Sequence, residues 1–298
     1  MLAIVSHDAG GAEILSSWAL QQNEPYCLVV EGPAKSIFNN KLGRFESISL
    51  KSAIMQSDWV LTGTSWQSSL EYEAIKLARV SGKKAVTFLD HWVNYSQRFI
   101  RENELLLPDE IWVGDATAYS IAKEIFPDTA IVLQKNPYFE EIKEKISGLS
   151  KQKSTIPGET YILYVCTPIK EQVLLEHGDE RYWSFTEEDA IRYFMKNVQV
   201  INFGNKPVVL RPHPSEQTGK YDWALNEFGA TVKIGGDKPL LEEIMNADVI
   251  AGCNSMAMVI GLIAGKRVIN ALPPGCKSCS LPMPGIEHLH HLIRQFQH

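Results

Sequence analysis

Short apolar runs alternate along this chain with stretches of helical period. Leu2–Ser6, Tyr26–Val30, Asp58–Leu61, Lys84–Leu89, Glu110–Val113 and Ile131–Leu133 are brief and rich in Val, Ile and Leu. Between them, Ala12–Gln21, the stretch from Gly63–Thr64 to about Val80, and Asp115–Phe126 read as helices, the last capped by Asp115. The pattern restarts at Tyr161–Val165 and continues with strands at Lys206–Leu210, Ala230–Ile234, Asp248–Ala251 and Lys266–Asn270. Helices are expected near Glu187–Gln199, Lys220–Phe228, Leu240–Asn246, Ser255–Ala264 and Glu287–Gln297. Runs that are apolar throughout, rather than alternating, mark strands buried on both faces. The predicted class is therefore α/β, with two facing Rossmann-like doubly wound domains. The break between them falls after the charged helix Glu140–Ser147, in a Ser-, Lys-, Gly- and Pro-rich stretch over Gly148–Gly158. Domains over 1–147 and 159–298 follow.

Composition narrows the function classes. A chain of 298 residues with 45% hydrophobic and 21% charged residues fits two soluble globular domains. Its net charge of −6 offers no basic surface, so no nucleic acid is expected as a partner. The N-terminal MLAIVSHDAGGAE lacks the pattern of a secretory signal, and no run approaches the roughly 20 apolar residues of a membrane span. Five cysteines, an odd number, fit a reducing compartment, and the cytoplasm is the expected location. Cys276 and Cys279 form one C-x-x-C without the second pair a zinc site needs. No Asp-x-Asp, Walker loop, H-E-x-x-H or G-x-S-x-G occurs, so neither a metal nor a cofactor is expected.

Ligands of open parallel sheets sit beyond the carboxyl ends of the strands, and five strand-end segments carry polar chemistry. Arg211-Pro212-His213-Pro214 presents a guanidinium fork and an imidazole in a turn stiffened by proline, suited to a phosphate. Gly252-Cys253-Asn254-Ser255 opens a helix, where capping by Asn254 and Ser255 and phosphate binding use one geometry. Asp90-His91 supplies candidate general bases, and the aromatic stretch to Phe99 follows. His7-Asp8-Ala9-Gly10-Gly11 allows close backbone approach at Gly10, with Asp8 a reserve base. Cys166-Thr167-Pro168-Ile169-Lys170 offers Thr167 and Lys170 to a phosphate. Each segment has a plainer reading: a proline turn, a cap, a packed aromatic loop, a tight turn, a solvated lysine.

Arg211–Pro214 resembles the His-Pro motif of bacterial sialyltransferases, polysialyltransferases and Kdo transferases, and the Arg-x-His-Pro of CDP-glycerol glycerophosphotransferases. Ala247–Ser255, continuing to Gly265-Lys266-Arg267-Val268-Ile269, looks like the serine motif of the same enzymes. His91 stands where the glycerophosphotransferases carry a catalytic histidine. The resemblance covers Tyr161–Gly275 and implies a metal-independent GT-B glycosyltransferase using a cytidine-linked nucleotide-sugar donor, Kdo or another nonulosonic acid among its sugars. It implies a glycan or lipid-linked acceptor in surface polysaccharide synthesis, with peripheral membrane association as a further option. Arg211, His213, Pro214, Asn254, Ser255, Thr167, Lys170 and Gly10 would bind the donor, and Asp90, His91 or Asp8 would act as base. Ile260 stands where many UDP- or GDP-sugar transferases carry a ribose-binding acid, which disfavours those donors. The alternatives are a sugar-nucleotide epimerase or hydrolase of the same fold, and a non-catalytic two-lobed binding protein.

Overall fold

A computed structural model describes residues 1–65, 68–152, 160–201, 205–276 and 279–296. The chain divides into two compact units, Met1–Glu141 and Ile142–His298. In the first, β1 (Leu2–Ser6), β2 (Tyr26–Val30), β3 (Trp59–Thr62), β4 (Lys84–Leu89), β7 (Glu110–Val113) and β8 (Ala130–Leu133) form one sheet. A two-residue hairpin, β5 (Ile100–Arg101) with β6 (Glu104–Leu105), stands apart from it. The second unit's sheet contains β9 (Tyr161–Val165), β10 (Val208–Arg211), β11 (Val232–Ile234), β12 (Ala247–Gly252), β13 (Arg267–Asn270) and β14 (Ile286–His288).

Both sheets are parallel throughout, with predominantly apolar strands at their centres. β1 is buried at every position, pairing Ile4 with Leu28 on one side and Leu61 on the other. Helix Ala9–Leu20 packs Ile14, Leu15 and Trp18 into the first core, where Trp18 meets Trp59 edge-on at 6.1 Å. The second core gathers Ile162, Tyr164, Phe194, Leu210, Ala251 and Ile269, and the last helix adds Leu289 to it.

The strand orders are β2-β1-β3-β4-β7-β8 and β11-β10-β9-β12-β13-β14. Successive strands therefore run outward in both directions from β1 and β3 in one unit, and from β9 and β12 in the other. These pairs are the topological switch points, where a crevice opens beyond the strand ends.

Four elements differ from the sequence reading. The first helix begins at Ala9, so Gly10 and Gly11 lie inside its first turn rather than in a loop. Arg211 is the last residue of β10, paired with Val165, and not part of the turn. Glu287 and His288 belong to β14, because the apolar Ile286 adds a strand beside Val268 before the helix starts at Leu289. The charged helix runs over Pro137–Gln152, taking in the start of the expected linker; the remainder, 153–159, lies outside the described residues. Among the described residues no helix is long and apolar enough to cross a membrane.

Candidate functional site

The switch point of the first unit is built by two strand-to-helix turns. His7 and Asp8 leave β1, and Gly63, Thr64 and Ser65 leave β3. They approach closely because neither turn has a side chain in the way: a Cβ on Gly11 would lie 3.2 Å from the Gly63 Cα. Asp8 occupies the N-cap position of helix Ala9–Leu20 with extended backbone, yet its side chain makes no capping bond. Instead Oδ1 accepts the Ser65 hydroxyl at 2.6 Å and faces His7 Nδ1 at 2.7 Å. The imidazole thus gives its Nδ1 proton to a carboxylate, leaving Nε2 as an acceptor. His7 and Asp8 keep 16% and 21% of their side chains exposed, and the Nε2 edge of the His7 ring packs against Gly32, where a Cβ would lie 2.4 Å from it.

A second chain of polar contacts lies alongside. Asp90, at the end of β4, accepts Arg98 Nη1 at 2.6 Å and the Thr64 hydroxyl at 3.2 Å through Oδ1, and Arg98 also donates to Thr64. Asp90 Oδ2 lies against Gly10, in the first turn of helix Ala9–Leu20, where the positive end of the helix dipole favours a carboxylate. Arg98 is buried in the short helix Tyr95–Arg98, which gives the aromatic stretch after His91 its structural role: it carries the counter-ion for Asp90. His91 is not part of this network. Its Nδ1 accepts the Trp92 backbone N–H at 2.9 Å, and burial pulls its imidazole below the ordinary value, Asp90 partly opposing.

At the second unit's switch point, Thr167 follows β9 and Asn254 follows β12. Helix Met256–Ile263 opens after Ser255, whose Oγ accepts the Ala257 N–H at 3.3 Å. The Asn254 side chain accepts the Ser280 N–H, while buried Asn270 donates to Cys253 O at 2.5 Å and so fixes the turn. Helix Ile169–His177 differs. Glu187, itself buried, accepts the Lys170 backbone N–H at 3.0 Å, and Lys170 Nζ is held by Glu188 at 2.8 Å. Arg211 is likewise engaged, with Glu243 at 2.6 Å and Lys238 O at 2.9 Å. His213 accepts the Ser215 N–H at Nδ1, at 3.2 Å, which leaves the Nε2 proton as the ring's donor. Pro214 is exposed beside it.

Below the His213 turn, Glu171, Glu187 and Glu216 bring carboxylate oxygens within 4.8 Å of one another. Lys220 Nζ reaches them at 2.7, 2.6 and 2.8 Å. Burial opposes its charge, but these hydrogen bonds raise its pKa overall. Glu216 also accepts the His213 N–H at 2.7 Å, so the ammonium anchors the His-Pro turn.

The structure therefore joins Asp8, Gly10 and Asp90 in one cluster and sets His91 outside it. Lys170 and Arg211 are both committed to carboxylates rather than held ready for an anion. The Ile260 side chain is buried in helix Met256–Ile263. Thr64, Ser65, Arg98 and Glu71 are not marked out by sequence as site residues, and His7 stands there only as part of its strand-end segment, without a role of its own. Gly63-Thr64-Ser65 obeys the same strand-end rule as the other turns, and that rule is the signal that could find it.

No protein-family model matches the chain, and no curated protein matches it by sequence. Solved structures do. The UDP-GlcNAc 2-epimerase of Methanocaldococcus jannaschii superposes with a TM-score of 0.63 at 12% identity, over 100% of this chain and 92% of that one. The UDP-GlcNAc 2-epimerase of Neisseria meningitidis, bound to UDP-GlcNAc, gives 0.62 at 10% identity over 99% and 90%. The kitacinnamycin glycotransferase gives 0.51 at 12% identity over 92% and 80%. The chain has the fold of these enzymes, the GT-B fold of two Rossmann-like units.

Proposed function

We propose that this protein is a metal-independent enzyme acting on a nucleotide sugar, and that its reaction is glycosyl transfer to a hydroxyl of a glycan or lipid-linked acceptor. The observation that carries the reading is the Ser65–Asp8–His7 chain at the first unit's switch point, an imidazole oriented by a carboxylate and left with one basic nitrogen. His7 Nε2 takes the proton of the acceptor hydroxyl as its oxygen bonds to the anomeric carbon and the glycosyl–phosphate bond breaks. Asp8 steadies the imidazolium that results. Asp90, already paired with Arg98, shapes the pocket and is the second candidate base.

The nucleotide belongs to the second unit. Its leaving phosphate is met by the Ser255 hydroxyl, by His213 Nε2–H and by the Met256 N–H ahead of the capped turn of helix Met256–Ile263, donors that stabilise developing charge without a metal. The resemblance of Arg211–Pro214 and Ala247–Ser255 to cytidine-using enzymes makes CMP or CDP the expected nucleotide. A second reading, epimerisation or hydrolysis of the nucleotide sugar, is favoured by the whole-chain superposition on two UDP-GlcNAc 2-epimerases.

A thermal-shift panel of CMP, CDP, UDP, GDP and ADP tests the nucleotide. A ligand at 100 times its Kd stabilises by about 2.7 kcal/mol. A largest shift with UDP or GDP rejects the cytidine preference, and no shift with any member rejects the donor site. Sugar release or isomerisation without acceptor selects the second reading. Binding without turnover in either assay leaves a receptor and overturns both.

A further inference from the structure

Beneath the His7–Asp8 turn lies a carboxyl group that the proposed chemistry does not use. Glu71 stands in the first turn of helix Leu70–Val80, and the residue is 4% exposed. Its Oε1 accepts the His7 backbone N–H at 2.7 Å. Its Oε2 is buried and has no hydrogen-bond partner among the described residues. The titratable groups facing it are His7 and a second acid, Asp8. Cations on neighbouring segments point elsewhere: Arg101 donates to the carbonyls of Ser65 and Ser68 at 2.6 and 2.9 Å, and Arg98 to Asp90.

An ionised carboxylate in this position would be a poorly solvated charge beside another of the same sign, which proteins avoid by keeping the proton. We propose that Glu71 is carried as the neutral acid in the folded protein, and that it is a positioning residue for the His7–Asp8 turn. One oxygen holds the His7 N–H, and the other keeps the proton that removes the charge. Burial pushes this carboxyl up to about 7, against the pull of its backbone hydrogen bonds, so the proton is lost to solvent close to neutrality. Above that point the turn contains two adjacent negative carboxylates and loosens. The inference deepens the reading of His7–Asp8 as the acid–base pair, but its test does not depend on turnover.

Infrared difference spectra and thermal unfolding are recorded for the intact protein and for Glu71→Gln between about pH 5 and pH 8.5, where an ordinary carboxyl no longer titrates. Glutamine keeps the oxygen that accepts the His7 N–H and cannot ionise. The wild type is expected to lose a protonated-carboxyl carbonyl band as pH rises, and E71Q to lack it. The unfolding midpoint of the wild type falls over the same interval, and that fall is reduced in E71Q. A wild type with only carboxylate bands at the acid end, or an E71Q protein whose midpoint falls just as steeply, overturns the proposal. A purely packing role for Glu71 would leave the two pH profiles parallel. Should E71Q fail to fold, the wild-type band alone decides. If nucleotides and acceptors prove inert while the band titrates, the function is wrong and the proton assignment stands.

Discussion

Replacing Gly10 with alanine isolates the contact that seats Asp90 on the first helix. A Cβ at Gly10 would lie 1.9 Å from Asp90 Oδ2 and 3.0 Å from its Cγ, so one partner must move. The carboxyl is not free to swing aside. Its other oxygen is held by Arg98 and Thr64, with side-chain exposures of only 6% for Arg98 and 13% for Asp90. Giving up a buried ion pair costs about 3–5 kcal/mol, whereas shifting the helix to relieve an overpacked methyl costs about 1–3 kcal/mol. The cheaper response sets the expectation, reduced by the roughly 1 kcal/mol by which alanine is favoured over glycine in a helix. Gly10→Ala should therefore destabilise by up to about 2 kcal/mol. The control is Gly148→Ala, exposed in helix Pro137–Gln152 with nothing within 4 Å of the added methyl. There alanine should stabilise by up to about 1 kcal/mol. Urea unfolding followed by circular dichroism measures both. If Gly10→Ala gains as much stability as Gly148→Ala, the Asp90 carboxyl does not sit against the first helix.

Three further expectations follow from the clusters. His7→Asn should lower kcat by on the order of 10²–10⁴ with nucleotide affinity unchanged; normal turnover in that variant, with Asp90→Asn inactive, transfers the base to Asp90. Lys220→Met removes the ammonium from three carboxylates lying within 4.8 Å of one another, so Ca²⁺ or Mn²⁺ should then raise the unfolding midpoint and should leave that of the wild type unchanged. No cation-dependent gain in that variant would contradict the packing of the cluster. The stability contribution of Glu71 has a definite sign: its folded-state pKa lies above the unfolded one, so the contribution is complete below 4.5 and lost as pH rises through about 7. At about 1.4 kcal/mol per pH unit this amounts to about 3 kcal/mol, an order-of-magnitude figure that a urea series against pH would measure.

Much of this architecture is readable from the chain, for a physical reason. Strands buried on both faces are apolar nearly throughout, so Leu2–Ser6 and Tyr161–Val165 announce a parallel sheet by their composition. The strand-end rule then locates His7–Asp8, Asp90, Arg211–Pro214 and Asn254–Ser255 at the correct ends of their sheets. What the pattern does not contain is strand order. Glu216 and Lys220 are four residues apart in one turn, but Glu171 joins Lys220 from 49 residues away, and Glu187 from another helix altogether. Glu71 reads as an ordinary acid in a helix's first turn, and only the packing of that helix beneath β1 makes it a buried one.

The same limit explains which ligand candidates changed character. Sequence logic selects cations at strand ends as phosphate donors, and Arg211 and Lys170 satisfy it. A fold must still neutralise any cation it partly buries, because an unpaired one is costly where water is scarce. Arg211 is therefore matched by Glu243, and Lys170 by Glu188. The counter-charges are as invisible in sequence as strand order is, since they come from helices far along the chain. Neutral donors carry no such obligation. A helix N-terminus, a serine hydroxyl and an imidazole N–H can stay uncommitted without a buried charge. The Ser255 hydroxyl proton and the His213 Nε2–H are of that kind, while the Ala257 and Met258 N–H groups are already taken by Ser255. An arginine at a strand end is consequently weaker evidence for an anion site than a serine opening a helix there, and the proposed donor phosphate is placed beside Ser255 for that reason.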